Sequence, residues 1–213
     1  MSNEPRTDCD IDTASADSAV GARRIYFAGP LFSHKELTGN RLLADAVDAE
    51  SASRYTCVLP QDIDVSSHTA KDIRDADFGH LLDCDCALFN FDGAELDSGT
   101  VVEFIFAKMI DRPAVLLRTD FRTGGDQCDG DPWNLMCSFY PRTRTLLRNG
   151  MEEYRKTCAG SGSFGENVRD TYGALARDIV HAFDAVFAEP PLTQHSELSN
   201  SQIEAWARLA AGL

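Results

Sequence analysis

The chain has 213 residues, 43% of them hydrophobic and 25% charged, which is enough to bury one substantial core and short of what two would need. Its formal net charge of -14, with 20 Lys and Arg scattered along the chain, provides no basic track for a phosphate backbone, so no nucleic acid is expected as a partner. No apolar run reaches membrane-spanning length and no basic-then-apolar leader opens the chain, so no membrane partner is expected and the protein reads as cytoplasmic.

Residues 1–22, "MSNEPRTDCDIDTASADSAVGA", are polar, acidic and poor in large apolar side chains, the composition of a flexible tail. From Arg23 short apolar runs alternate with helical spacing. "RRIYFAGP" predicts a buried strand closed by Gly29 and Pro30, and "HKELTGNRLLADAVDAESASR" predicts a helix. "YTCVLP" predicts a second strand stopped by Pro60, "TAKDIRDADFGHLLDC" a second helix and "CALFNFD" a third strand. "TVVEFIFAKMI" then predicts a third helix, and "PAVLLRT" a fourth strand introduced by Pro113. Four strand–helix alternations imply an α/β fold, a doubly wound parallel sheet flanked by helices in a single domain over residues 23–188.

Beyond the polar loop "DFRTGGDQCDGDP", a helix is expected around Met151, and "VRDTYGALARDIVHAFDAVF" has an amphipathic pattern that would cover one face of the sheet. Residues 189–213 read as a C-terminal tail with a short amphipathic helix opened by a capping box of Ser201 and Glu204. "GSGSFG", Gly160 to Gly165, matches GxGxxG in form, but the charged helical stretch before it is not the buried strand that a dinucleotide site needs. No organic cofactor is expected there. The seven cysteines contain no CxxC pair, and reduced thiols are expected. Cys84 and Cys86 would share one face of a strand, yet no His or Cys stands at ligand spacing from them, so no metal is expected.

In an open parallel sheet, ligands bind outside the carboxyl ends of the strands. The first strand brings Tyr26, whose phenol can orient an acid, with Gly29 and Pro30 behind it; a core aromatic followed by a plain turn fits the same residues. After the second strand Gln61 and Asp62 offer hydrogen bonds to a heterocycle, or form an ordinary loop. After the third strand, "ELDSGTVVEF" holds Asp97 and Glu103 on either side of a Ser-Gly-Thr turn. Thr100 and Glu103 also fit a capping box. A cap needs only one acid, however, and Asp77 upstream makes a third. Three carboxylates in one crevice push their pKa values apart, as acid, base and nucleophile roles require.

"YFAGPLF", "DADFGHLLDCDCALFNFDGAELDSGTVVEFIFA" and "NLM", in that order between Arg23 and Tyr140, resemble the nucleoside 2-deoxyribosyltransferase family. The resemblance implies a flavodoxin-like fold and transfer of a 2-deoxyribosyl group between nucleobases in nucleotide salvage, with deoxyribonucleosides and free bases as partners and no cofactor. It implies Glu103 as nucleophile, oriented by Tyr26, with Asp97 and Asp77 as the partners that bind and protonate the base or hold the sugar hydroxyls; of the two, we expect Asp97 to be the acid and Asp77 to bind. Gly29, Pro30 and Phe32 lie in the first matched block. Asn134 and Met136 would complete the site of a neighbouring subunit in a homo-oligomer. Two other readings stay open: a hydrolase of deoxynucleosides or their 5'-monophosphates, for which Ser33 near the sugar is compatible, and a nucleotide-binding module without catalysis.

Overall fold

The computed structural model describes residues 21–64, 69–122 and 131–213. The expected N-terminal tail, apart from its last two residues, and most of the polar loop after Asp120 lie outside the described residues.

Five parallel strands form one sheet in the order β2-β1-β3-β4-β5, the winding of flavodoxin-like sheets. They are β1 (Arg23–Ala28), β2 (Tyr55–Val58), β3 (Cys86–Asn90), β4 (Ala114–Arg118) and β5 (Thr143–Leu147). The helices are α1 (His34–Glu50), α2 (Ala70–Asp83), α3 (Ser98–Met109), α4 (Gly150–Ala159), α5 (Phe164–Phe187) and α6 (Asn200–Ala211).

The period-two alternation of the strands divides the core in two. Ile25, Phe27, Leu88, Val115 and Leu117 face α1 and α5, where Leu43, Val47, Ile179 and Phe183 close on them. Tyr26, Ala28, Phe89 and Leu116 face the other way, toward Leu81 of α2, Phe104 of α3 and Ala207 of α6. Both faces of β3 and β4 are therefore apolar, as buried parallel strands require. The chain leaves β1 toward the α1 face and β3 toward the α3 face, so the winding reverses between these neighbouring strands. Their carboxyl ends form the crevice where such sheets bind ligands.

The structure corrects four expectations. A fifth strand follows the four read from sequence: β5 lies at the sheet edge with Arg144 and Thr145 exposed, and its sequence "TRTLL" lacks the apolar run that marks a buried strand. α5 begins at Phe164, four residues before the amphipathic pattern read from Val168, so the last residues of "GSGSFG" are already helical. α6 is capped by Ser199 with Gln202 rather than by Ser201 with Glu204, and Glu204 instead pairs with Arg112 at 2.9 Å. Cys84 ends α2 and packs in the α2/α3 core, whereas Cys86 packs on the α1/α5 side, so the two thiols do not share a face.

A buried ion pair anchors the amino-terminal edge of the sheet. Asp111 and Arg142, both in left-handed conformations, meet at 2.7 Å, and Asp111 also accepts the Leu192 amide at 2.8 Å. Among the described residues, no helix is long and apolar enough to cross a membrane.

Candidate active site

The alternation of β1 turns Tyr26 inward beneath α3, where it is fully buried and donates its hydroxyl to Glu103 Oε1 at 2.7 Å. The start of α3 fixes the other partner. Asp97 is its N-cap, and Asp97 Oδ2 accepts the Thr100 amide at 2.8 Å and the Thr100 hydroxyl at 2.9 Å. This overturns the alternative in which Glu103 caps the helix at Thr100. Asp97 already satisfies the first turn, which leaves Glu103 one turn further on, free to meet Tyr26.

Burial pushes the Glu103 carboxyl up to about 7, the neighbouring Asp77 and Asp97 add to the rise, and the Tyr26 hydrogen bond opposes it. Asp77, half-buried on α2, is also raised, chiefly by burial, while nearby His80 pulls the other way. The Tyr26 phenol is driven far above its usual range by burial and by Glu103, so it remains a hydrogen-bond donor. The three acids and the phenol thus form one coupled cluster. Its most buried carboxyl, Glu103, exchanges its proton near neutrality, a property suited to acid, base or nucleophile work.

The remaining expected residues are less concentrated. Gly29 stands against the end of β3: a Cβ there would lie 2.9 Å from the Asn90 Cβ, so only glycine allows this approach. The Pro30 carbonyl accepts Asn40 Nδ2 at 3.0 Å, and Phe32 is 78% exposed at the rim. Gln61 donates to the Leu37 carbonyl at 2.9 Å, leaving its Oε1 buried without a partner, while Asp62 is drawn to Arg41 at 3.1 Å. Asn134 caps a single turn, Leu135–Cys137, by accepting the Met136 amide at 2.9 Å, and Met136 is 68% exposed.

Two cavities of about 730 Å³ each open nearby. One lies between the start of α3 and the 132–137 segment, lined by Ser98, Val102, Arg118, Trp133, Asn134 and Met136. The other opens on the α1/α5 face around Asn40, Asn90 and Tyr172. Neither is lined by Tyr26, Asp77 or Glu103. Asn134, which lines the first of these cavities, is not gathered into the acid cluster within the chain.

Sequence reasoning missed Asp92 and Glu36. Asp92 accepts the amides of Thr119 and Asp120 and so ties the ends of β3 and β4 together. Glu36 Oε2 accepts the amides of Phe32 and Ser33 at 2.9 and 2.7 Å; the S-x-x-E spacing of Ser33 and Glu36 carried that signal.

Solved structures with a similar fold include a conserved protein from Enterococcus faecalis V583, 21% identical, with a TM-score of 0.48 over 78% of this chain and 99% of that one. A 2-desoxiribosyltransferase from Leishmania mexicana is also 21% identical, with a TM-score of 0.45 over 57% and 89% of the two chains. A 2-deoxyribosyltransferase from Bacillus psychrosaccharolyticus is 15% identical, with a TM-score of 0.45 over 68% and 95%. No curated protein matches the chain. The family model described as nucleoside 2-deoxyribosyltransferase matches residues 25–136, more than half of the chain and a span that includes Tyr26, Asp77, Asp97, Glu103, Asn134 and Met136. The chain belongs to the nucleoside 2-deoxyribosyltransferase family.

Proposed function

We propose that this chain moves a 2-deoxyribosyl group between nucleobases through a covalent ester on Glu103, in nucleotide salvage. The observation that carries the reading is the Tyr26 hydroxyl on the Glu103 carboxylate at 2.7 Å, beside Asp77 and Asp97.

In the first step a Glu103 carboxylate oxygen bonds to the anomeric carbon as the bond from that carbon to the base nitrogen breaks. The bonding pair leaves with the base, and a carboxyl proton neutralises it. The transition state is oxocarbenium-like, and a 2-deoxy sugar, lacking an electron-withdrawing hydroxyl next to the reacting carbon, reaches it more readily. The nitrogen of an incoming base then attacks the same carbon, displaces Glu103 and returns a proton. Two inversions give retention.

Between the two aspartates, we assign the proton-donor role to Asp77 rather than to Asp97. Burial holds its carboxyl above the usual range, whereas one oxygen of Asp97 is committed as an acceptor to Thr100. Tyr26 keeps one Glu103 oxygen hydrogen-bonded and directs the other toward the sugar. Gly29, Pro30, Phe32 and Gln61 line the approach, and Asp62 contributes to the same rim. Glu36 places a carboxylate against the Phe32 and Ser33 amides at the start of α1, and its negative charge there disfavours an anionic 5'-monophosphate relative to a deoxynucleoside.

The exposed Leu135, Met136 and Phe139 support a homo-oligomer in which Asn134 and Met136 of each subunit complete the neighbouring site.

The test incubates a deoxynucleoside with and without a second base and separates the products by chromatography. A new nucleoside is expected, with ribonucleosides reacting far more slowly. Free deoxyribose alone would make the protein a hydrolase, and no reaction would leave a binding module.

A further inference from the structure

The cavity on the α1/α5 face has no part in this chemistry. It opens at the carboxyl edge of the sheet, where α1, α4 and α5 converge on the ends of β3, β4 and β5. Its volume of about 730 Å³ lies within the range typical of small-molecule sites. Its walls are apolar, formed by Leu43, Leu117, Phe164, Val168 and Leu175.

Among the described residues, three polar groups in this lining have unused hydrogen-bonding capacity. Asn40 is 7% exposed; its Nδ2 is spent on the Pro30 carbonyl, while its Oδ1 accepts no hydrogen bond from the described residues. Asn90 accepts the Asp92 amide at 3.0 Å through Oδ1, and no described residue accepts from its Nδ2. The half-buried Tyr172 hydroxyl makes no hydrogen bond with the described residues. None of these three atoms is buried from solvent, and the residues that carry them line the cavity. The cavity therefore offers one acceptor, one donor and one hydroxyl between apolar walls, a buried Asn among them.

The charged groups around it are already engaged. Arg148 pairs with Asp178, Lys156 pairs with Glu153 at 3.0 Å, Glu36 holds the start of α1 and Asp92 holds the β4 end. Lys35 is exposed at the rim. Such a lining selects a neutral ligand, since a charged one would enter apolar walls without a free counter-charge inside.

We propose that this cavity is a second ligand site, distinct from the Glu103 cluster, that takes a neutral planar heterocycle presenting adjacent hydrogen-bond donors and acceptors, such as a free nucleobase. The ligand class follows from the lining alone, independently of the reaction assigned to Glu103. Because Gly29 and Asn90 touch at the crevice between the two regions, a ligand on Asn90 abuts the turn that follows Tyr26.

Gly39 gives the test. It lies within α1 and lines the cavity, and the first atom that an added Cβ meets is the Tyr172 hydroxyl at 3.4 Å. Gly39→Leu therefore fills the cavity while improving the helix propensity of the site. Binding of adenine, hypoxanthine, cytosine and thymine to wild type, Gly39→Leu and Tyr172→Phe would be measured by calorimetry, with the melting temperature of each variant as a fold check. At least one base is expected to bind the cavity of wild type. Gly39→Leu should abolish that site and leave binding at the Glu103 cluster untouched, and Tyr172→Phe should weaken the cavity site by about three- to tenfold, the scale of one neutral hydrogen bond. No base bound by wild type, or base binding that a folded Gly39→Leu protein leaves unchanged, would overturn the proposal. Absence of nucleoside transfer by wild type would instead count against the Glu103 reading and leave this result standing.

Discussion

The Tyr26 hydroxyl and Glu103 Oε1 stand 2.7 Å apart although 77 residues separate them in sequence, a contact that exists because β1 and α3 flank the point where the winding reverses. The bond lowers the Glu103 pKa against the larger effect of burial. Tyr26→Phe removes the donor and keeps the ring. The kcat/KM limb that requires ionised Glu103 is expected near pH 7 in wild type and should move upward in the variant. The rate at neutral pH should fall by roughly tenfold or more, the scale of a hydrogen bond to a charged group. An unmoved limb would detach Tyr26 from the nucleophile.

The same raised pKa has a consequence for stability. An unfolded glutamate releases its proton near 4.5, whereas Glu103 in the fold holds its own to about 7, so between those values the folded chain carries the extra proton. This contribution is fully present below about 4.5 and is lost as pH rises through about 7. Urea midpoints across that window should fall less steeply for Glu103→Gln than for wild type. Parallel profiles would contradict the burial of this carboxyl.

Asp97 and Asp77 separate by substitution. Asp97→Ala should cost about 0.5–2 kcal/mol through the lost cap, and Asp97→Asn, an equally good cap, should restore it. If Asp77 delivers the proton, Asp77→Asn will lose more activity than Asp97→Asn, and a nucleoside with a better leaving base will recover it. A larger loss and recovery in Asp97→Asn would return the acid role to Asp97.

Much of this arrangement was legible because burial writes itself into the strands. β1, β3 and β4 are apolar on both faces, and the spacing of Asp77, Asp97 and Glu103 survives folding as one cluster. What was not legible was competition between side chains. Thr100 and Ser201 looked like caps until Asp97 and Ser199, three and two residues earlier, took those places with better geometry. The Arg41 partner of Asp62 comes from α1, twenty-one residues away, and no local pattern announced it. β5 escaped notice because an exposed edge strand needs little apolar pattern, and the second cavity because its lining comes from segments far apart in the chain.

The shared site is tested by mixing subunits. Glu103→Ala and Asn134→Ala proteins, each impaired alone, would be combined until exchange is verified by mass. Activity above the sum of the parts is expected, because some mixed pairs regain one complete site. Additive activity after verified exchange would assign Asn134 to its own chain, where it already caps the 135–137 turn.

The central claim is the covalent ester on Glu103, and trapping it is the most direct measurement. Wild-type protein incubated with a slow 2-fluoro-2-deoxy nucleoside should gain the mass of one fluorinated sugar per chain, and peptide mapping should put it on Glu103. Glu103→Ala should gain none and should lose transfer and hydrolysis together while remaining folded, since Asp97 and not Glu103 caps α3. A sugar on another residue, or near-normal turnover by Glu103→Ala, would contradict the account.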